Sequence, residues 1–208
     1  MLFQKYREEI IWRRVEPFHR LDGWLTDSEA IGLYKMAASL DKKAIIVEIG
    51  SWQGKSTYCL ARGLKTGGRV YAIDPFNGDA GQDVESRRIY EEQKAGKDLE
   101  QIFRQNMSAL HVMDKIVVKK GYSPDFTGQF PHINALFIDG DHSFEGCSND
   151  FHLYADKIIP GGFLAFHDYY ADRPESGPTR VIEELVIPDP RFQFYKLFHS
   201  LWTARRVN

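Results

Sequence analysis

The stretch V-E-I-G-S-W-Q-G-K-S-T at residues 47–57 combines the sequence signals of a strand, a turn and a helix. A short apolar run at residues 44–47 leads into a turn that contains Gly50 and Gly54, and a helix-forming segment at residues 55–64 follows. Glycine allows a backbone to bend sharply and to approach a ligand closely. The stretch therefore predicts a strand, a tight turn and a helix, with the turn facing a bound molecule.

A second stretch, R-V-Y-A-I-D-P-F at residues 69–76, completes this unit. Its apolar run ends in Asp74, twenty residues after Gly54, and a carboxylate in that place suits the hydroxyl groups of a ribose. The two stretches together predict a site for a nucleoside-containing cofactor.

The remaining apolar runs predict the fold class. Five runs are too short for helices, and most lack the polar alternation of a half-exposed strand; they lie at residues 44–47, 70–73, 116–118, 135–138 and 163–166. Runs of this kind are typical of parallel strands that are covered on both faces. Because helical segments separate most of them, we expect a doubly wound α/β fold with helices on both faces of the sheet.

Boundary signals place several other elements within a single domain, residues 1–208. Thr26 to Glu29 form a capping box that opens a helix to about residue 40, within an N-terminal helical segment, 1–40. Helices are predicted at residues 147–159, which Pro160-Gly161-Gly162 would stop, and at 177–186. Residues 77–110 predict a helical insertion beside the cofactor site, and residues 192–198 and 201–205 predict two strands that turn at His199-Ser200.

Bulk composition excludes several function classes. The 208 residues are 43% hydrophobic and 27% charged, as in globular proteins that dissolve in water, and their net charge of −2 offers no electrostatic footprint for nucleic acid. No apolar run is long enough to span a membrane, and the N-terminus lacks the pattern of a signal peptide. Cys59 and Cys147 fall in predicted helices and are expected to be buried free thiols, which fits a cytoplasmic location.

Three kinds of cofactor compete for the glycine turn. A phosphate loop needs four residues between its glycines, whereas Gly50 and Gly54 enclose Ser51, Trp52 and Gln53 alone. A dinucleotide fingerprint needs G-x-G-x-x-G, and a carboxylate beside the turn would repel a pyrophosphate. S-adenosylmethionine has no phosphate and carries positive charge, so Glu48 would attract its amino-acid end and Asp74 would take its ribose. The residues favour this methyl donor, although both acids have a purely structural alternative as exposed strand ends.

Four motifs then resemble one superfamily. E-I-G-S-W-Q-G-K-S-T, A-I-D-P-F, F-I-D-G-D-H-S-F-E-G and P-G-G-F-L-A-F-H-D-Y occur in the order found in class I S-adenosylmethionine-dependent methyltransferases. The D-G-D-H-S-F-E-G segment resembles the group of macrocin-type and cephalosporin-cluster O-methyltransferases. The resemblance covers residues 44–186 and implies a Rossmann-like sheet of seven strands, mostly parallel with a reversed last strand.

The resemblance also implies the positions of the donor site. It places Gly121, Tyr122 and Ser123, after the third strand, near the adenine. The full set of residues expected to bind the cofactor is Glu48, Gly50, Ser51, Trp52, Gly54, Asp74, Phe76, Gly121, Tyr122, Ser123, Asp139 and Gly140.

Polar residues after the fourth and fifth strands suggest a cation site. Asp139 follows one strand and His167-Asp168 follow its expected neighbour, so these side chains are predicted to converge on a divalent cation such as Mg²⁺ or Mn²⁺. A cation that touches the acceptor oxygen lowers its pKa. In related metal-dependent O-methyltransferases the residue at position 167 is usually acidic, so a structural role for His167 and Asp168 is the alternative.

His142, three residues after Asp139, is the candidate general base, because the pKa of an unperturbed histidine lies near neutrality. In catechol-type relatives a lysine at this spacing has that role. The other histidines lack partners at useful spacings and are expected to be structural or exposed; they are His19, His111, His132, His152 and His199.

Aromatic residues have two possible roles. Tyr169 and Tyr170, and the N-terminal Phe3, Tyr6 and Trp12, either line the acceptor pocket or pack against the body of the protein or a subunit interface.

The function predicted is methylation of a hydroxyl on a small molecule, a sugar or a natural-product scaffold, with Asp139 and His142 as catalytic residues. A binding module without catalysis and an amine or protein methyltransferase are the alternatives. No nucleic-acid or membrane partner is expected, and a homo-oligomer is left open.

Overall fold

One mixed sheet organises the protein, whose computed structural model describes residues 2–78, 92, 94 and 96–208. The strands of these residues are β1 (Ile45–Ile49), β2 (Arg69–Asp74), β3 (Ile116–Lys120), β4 (Ile133–Ile138), β5 (Ile158–Phe166), β6 (Phe192–Phe198) and β7 (Leu201–Arg206). They lie in the order β3-β2-β1-β4-β5-β7-β6. β7 runs antiparallel to both of its neighbours, whereas β1 to β5 are parallel. The predicted sheet with a reversed last strand is confirmed.

Strand order places the functional edge of this sheet. β1 lies between β2 and β4, so the chain winds outward in both directions from the gap between β1 and β4. Loops after two strands that wind in opposite directions diverge and leave a crevice at the carboxyl ends. The predicted site residues lie at the ends of β1 to β5, at this edge.

Helices cover both faces. They are α1 (Leu2–Val15), α2 (Asp27–Ser39), α3 (Lys55–Gly63), α4 (Leu99–Ala109), α5 (Ser123–Phe126), α6 (Phe144–Tyr154) and α7 (Gly177–Val181), and a π-helical turn, Ile182–Val186, continues α7. In β4, Ala135 and Phe137 pack in the core with α2 and α3, whereas Leu136 and Ile138 pack in a second core with α6 and α7. Alternate side chains of a strand point to opposite faces of the sheet. Because both faces are covered, every residue of the run at 135–138 is apolar.

The capping box of α2 is confirmed. The Thr26 hydroxyl accepts a hydrogen bond from the Glu29 N–H at 3.4 Å, and the Glu29 carboxylate accepts one from the Thr26 N–H at 2.7 Å. Both backbone donors would otherwise lack a partner at the start of the helix. Glu29 is nevertheless buried, and this becomes important at the site.

The predicted helix at residues 147–159 is wrong at both ends. α6 starts earlier, because the Ser143 hydroxyl caps it by accepting a hydrogen bond from the Gly146 N–H at 3.0 Å. Ile158 pairs with Ile133, so Ile158–Gly162 belong to β5. Ile158 and Ile159 are β-branched and favour a strand. The pairing register with β4 shifts between Ile133 and Ala135, and this shift accommodates the Pro-Gly-Gly segment of β5.

Several smaller predictions also have outcomes. α4 confirms helix in the last part of the 77–110 segment, while residues 79–91, 93 and 95 lie outside the described residues. Cys59 and Cys147 are free and buried, as expected. Trp12 packs against the core and Tyr6 is exposed. Within the part of the chain that the structure describes, no helix has the length and apolar character needed to cross a membrane.

Candidate active site

The carboxyl ends of the strands surround a cavity of about 1130 Å³, which is spacious for a single drug-sized ligand. Most of the predicted site residues line it; these are Gly50, Ser51, Trp52, Asp74, Gly121, Tyr122, Ser123, Asp139, Gly140, His142, His167 and Asp168. Three predicted cofactor residues, Glu48, Gly54 and Phe76, are not part of the lining.

The turn glycines allow close approach of protein chains. Gly50 has φ +85°, and a Cβ atom there would lie 2.0 Å from the Asp139 carbonyl oxygen. Gly54 has φ +93° and is the N-cap of α3, and a Cβ atom there would lie 2.5 Å from Met107 Cε. Gly54 was predicted to bind the cofactor; it lies outside the cavity lining and packs against α4.

Asp74 holds the turn in place. Its Oδ2 accepts hydrogen bonds from the N–H groups of Ser51 and Trp52, at 2.9 and 2.8 Å, and its Oδ1 accepts one from the Phe76 N–H at 2.6 Å. Burial raises the pKa of Asp74 despite these donors. A carboxylate offers about four acceptor positions, so Oδ1 retains capacity for a ligand hydroxyl. Phe76 was predicted to bind the cofactor; its ring packs 5.4 Å from the Phe103 ring in the core.

Glu48 does not contact the cavity, so its predicted role at the amino-acid end of the donor is not supported. The side chain is fully buried behind the turn. It accepts hydrogen bonds from Ser51 Oγ at 3.0 Å, from Ser56 Oγ at 2.6 Å and from the Thr57 hydroxyl. Burial raises the pKa of Glu48 to about 7, against the opposite effect of these hydroxyls. Glu48 joins β1 to the first turn of α3.

A buried serine–aspartate pair lines the cavity after β3. The Ser123 hydroxyl donates a hydrogen bond to Asp150 Oδ1, and the Tyr154 hydroxyl donates to the Ser123 carbonyl at 2.6 Å. Burial raises the pKa of Asp150 to about 6. Asp150 lies on α6 in a segment whose sequence marks it only as helical, so its presence here was not predicted.

Two carboxylates and a histidine cluster beside the turn. His142 Nε2 lies 3.6 Å from Asp139 Oδ1 and 3.4 Å from Asp168 Oδ2, and one ligand atom from each of the three residues lies within 4.8 Å of the others. Burial alone would raise the pKa of Asp139, but the neighbouring histidines hold it below its usual value. Burial would lower the pKa of His142, and the two carboxylates outweigh this and raise it. The donor set suits a divalent cation.

His167 contacts both carboxylates of this cluster, and the predicted metal set of Asp139, His167 and Asp168 stays a prediction. Its Nδ1 lies 3.3 Å from Asp139 Oδ1 and 3.1 Å from Asp168 Oδ2, and its Nε2 lies 3.4 Å from Glu29 Oε2. Burial lowers the pKa of His167, but the surrounding carboxylates raise it well above its usual value. The Nε2 atom of His167 is turned toward Glu29, whereas ligand atoms of Asp139, His142 and Asp168 lie within 4.8 Å of one another, so His142 is a further candidate ligand.

Glu29 links the cluster to the turn between β6 and β7. Its Oε1 accepts hydrogen bonds from the Ser200 N–H at 3.0 Å and from Ser200 Oγ at 2.5 Å, and lies 3.0 Å from His199 Nδ1. Burial would raise the pKa of Glu29, but His167 and the hydrogen bonds hold it far below its usual range. His199 was predicted to be structural or exposed; it is exposed, and it also lines the cavity. Its contact with Glu29 joins residues 170 positions apart, a pairing that spacing cannot reveal.

The two tyrosines after β5, Tyr169 and Tyr170, lie in different surroundings. Tyr170 lines the cavity, and its N–H donates to Thr179 Oγ1 at 3.1 Å. Tyr169 packs against the second core, with its hydroxyl 3.3 Å from Glu183 Oε1. Tyr170 is thus the aromatic residue after β5 that is placed to contact an acceptor.

Comparisons with known proteins agree with this geometry. The family model "Methyltransferase domain" matches residues 47–169. The structure is similar to that of an O-methyltransferase from Bacillus cereus in complex with SAH, with 20% identity, a TM-score of 0.64, and coverage of 97% of this chain and 90% of that one.

The fold is likewise similar to that of TomG, an O-methyltransferase from Streptomyces achromogenes involved in tomaymycin synthesis and solved in complex with SAM. The identity is 14% and the TM-score 0.66, over 95% of this chain and 89% of that one. A local match to the uncharacterized protein R132 of Acanthamoeba polyphaga mimivirus is 49% identical over 37 residues, which span 18% of this chain and 17% of the viral protein. The family match covers more than half of the chain, and the protein therefore belongs to the methyltransferase-domain family and has the fold of class I methyltransferases.

Proposed function

We propose that the protein transfers a methyl group from S-adenosylmethionine to a hydroxyl of a small molecule, with the help of a divalent cation. One observation carries this proposal: the glycine turn with Asp74 and the cluster of Asp139, His142 and Asp168 line the same cavity. A donor held at the turn would therefore present its methyl group to an acceptor held at the cluster.

The chemistry of the cavity fits the positively charged donor. Asp74 keeps an acceptor position toward the cavity, and Ser123 and Asp150 add further polar groups beside it. Opposite charge favours binding of a sulfonium and an ammonium group among carboxylates. The Bacillus cereus and TomG structures, which hold SAH and SAM, support the same donor for this fold.

Asp139, His142 and Asp168 would hold the cation. Two carboxylates and an imidazole suit Mg²⁺ or Mn²⁺, and the imidazole moves the preference toward Mn²⁺. A cation here would lower the pKa of a bound acceptor hydroxyl and fix its position. The remaining lining residues, Tyr170 among them, would exclude water and align the acceptor oxygen with the carbon–sulfur bond.

This arrangement argues against His142 as the general base. Without a cation, its Nε2 lies between two carboxylates that favour the protonated imidazole. With a cation, the same nitrogen would be a ligand. In both states Nε2 is occupied, so we assign His142 to the cation site.

The acceptor class follows from the same cavity and from the relatives. A sugar or a natural-product scaffold presents hydroxyls of the right kind, and the role of TomG in tomaymycin synthesis supports a small molecule. The net charge of −2 remains the argument against a nucleic-acid partner, and the homo-oligomer and cytoplasmic location remain predictions from sequence.

The proposal is tested by calorimetry with S-adenosylmethionine and by a screen with methyl-labelled donor. The panel contains catechol, 3,4-dihydroxybenzoate, methyl glucoside and methyl rhamnoside, together with benzylamine and a basic protein, each with Mn²⁺, with Mg²⁺ and with EDTA. We expect donor binding and cation-dependent methylation of a hydroxyl. Donor binding without any transfer would favour a sensor, and EDTA-resistant methylation of the amine or protein would favour the other alternative.

A further inference from the structure

A carboxylate–imidazole pair at the turn between β6 and β7 lies outside the cation cluster. Glu29 Oε1 lies 3.0 Å from His199 Nδ1. An ionised carboxylate only accepts hydrogen bonds, so the proton of a neutral His199 resides on Nδ1 and its Nε2 is left as the basic atom.

The carboxylate of this pair is rigidly held. Glu29 is 1% exposed, and it accepts hydrogen bonds from the Thr26 N–H and from the N–H and hydroxyl of Ser200. Because these donors come from the N-cap of α2 and from the turn between β6 and β7, Glu29 has little freedom to move. It orients the ring of His199.

The imidazole of this pair faces the cavity. The His199 side chain is 53% exposed and lines the cavity together with Tyr170, whose ring lies 6.3 Å away in an edge-on arrangement. The Ser200 carbonyl accepts a hydrogen bond from the Tyr169 N–H at 3.0 Å, which fixes the turn beside the segment that carries His167 and Asp168. His199 therefore lies next to the cluster without belonging to it.

The backbone conformation at His199 fits this placement. His199 has φ +57° in a two-residue hairpin turn, a position where glycine or asparagine is the usual choice. A non-glycine residue with such a φ is strained. Strain of this kind is typical of functional positions, and here it places an imidazole on the cavity wall.

We infer that His199, oriented by Glu29, accepts the proton of the acceptor hydroxyl during methyl transfer. This inference rests on the proposed function. The acceptor O–H bond breaks and its proton moves to Nε2, while the oxygen bonds to the donor methyl carbon. The electron pair of the carbon–sulfur bond stays on sulfur, and His199 releases the proton to water afterwards.

The main test uses His199→Asn, because asparagine tolerates a positive φ but cannot accept the proton. We expect turnover on the hydroxyl acceptor found in the screen to fall about 10²–10⁴-fold, with S-adenosylmethionine and Mn²⁺ affinities within about twofold of the parent protein. His152→Asn, on an exposed position of α6 outside the cavity lining, is the matched control and should retain full turnover.

A second variant separates chemistry from structure. His199→Gly relieves the backbone and leaves a space, so added imidazole should restore part of the lost turnover. Near-normal turnover of His199→Asn, or lost turnover of His199→Gly that imidazole does not restore, would overturn the inference.

A spectroscopic measurement needs neither donor nor acceptor. Nitrogen-15 NMR of histidine-labelled protein should show His199 as the Nδ1–H tautomer, identified by the signals that His199→Asn removes. An Nε2–H tautomer would refute the role assigned to Glu29. If the parent protein methylates no member of the panel, the proposed function fails and this inference fails with it, even where the tautomer is the one expected.

Discussion

The two sides of the cavity are built in different ways. On the turn side, defined by Gly50–Trp52, Asp74 and Ser123, polar side chains are engaged by neighbouring groups of the protein: Asp74 by backbone N–H groups and Ser123 by Asp150. On the cluster side, defined by Asp139, His142 and Asp168, charged side chains face one another.

The two constructions suit different roles. Groups that are satisfied within the chain stabilise the backbone shape into which a ligand fits, and their loss changes folding and donor affinity. Charged groups crowded together in a partly buried place are stabilised by a bound ion or substrate. The turn side should therefore govern stability and donor affinity, and the cluster side should govern turnover.

The largest effect is expected on the cluster side, from Asp168→Asn. Removing one carboxylate from the cation site should lower turnover about 10³-fold, or about 4 kcal/mol, because the cation supplies several kcal/mol to the reaction. Asparagine suits the φ of +59° at this position. Donor affinity by calorimetry should stay the same, and Asp172→Asn, an exposed neighbour outside the lining, is the control. A weakened donor affinity would show that the two sides are not separate.

On the turn side, Gly50→Ala should reduce the free energy of unfolding by about 3 kcal/mol. The new Cβ atom would lie 2.0 Å from the Asp139 carbonyl oxygen, and the φ of +85° adds strain. Urea unfolding measures this loss. Gly128→Ala, where a Cβ atom meets no atom within 4 Å, is the matched control. Equal stability of the two variants would contradict the contact between the ends of β1 and β4.

Glu48→Gln tests whether a buried acid of the turn is structural. Folding raises the pKa of Glu48 from 4.5 to about 7, so between these values the folded protein binds a proton that the unfolded chain has released. Stability should fall as pH rises from 4.5 to 7, by about 3 kcal/mol relative to Glu48→Gln, and the difference should be constant above pH 7.

Urea unfolding of both proteins across this pH range gives the measurement, with Glu8→Gln at an exposed position as control. Donor affinity at pH 7 should be the same in the parent and in Glu48→Gln. A large loss of donor affinity would contradict this and would show that Glu48 contributes to donor binding.

The smallest effect is expected from Asp74→Asn, which should weaken donor binding by about 1–2 kcal/mol. This is the scale of one lost hydrogen bond to a charged group, and the amide retains acceptors for part of the turn. Turnover at saturating donor should change little, as calorimetry and steady-state kinetics would show. Asp114→Asn, at an exposed position, serves as control, and unchanged affinity would remove Asp74 from donor binding.

Much of the fold was predictable because the local sequence signals and the burial of the strands indicate the same elements. Apolar runs identified β1 to β5, the tail pattern identified β6 and β7, and the capping box fixed the start of α2. The error at residues 158–162 arose because Pro-Gly-Gly usually ends a helix, whereas pairing with β4 extends β5 through it.

The sequence predicted the site residues that follow the ends of strands. It did not predict the direction in which individual side chains, such as that of Glu48, point. Asp139 and Asp168 follow neighbouring strands, so topology alone brings them together. Whether Glu48 faces the cavity or the core depends on which side of β1 it occupies, and the hydroxyls of α3 decide that. Glu29, Asp150 and His199 join the site through contacts between distant segments.

The hairpin geometry has a consequence for the timing of assembly. β7, and not β6, pairs with β5, so β6 can join the sheet only after residues 201–206 are in place. Until then Glu29 lacks its partners at Ser200 and His199. During folding, we expect the body of the sheet to form first, and the wall of the cavity that carries His199 to close only once β7 has paired with β5.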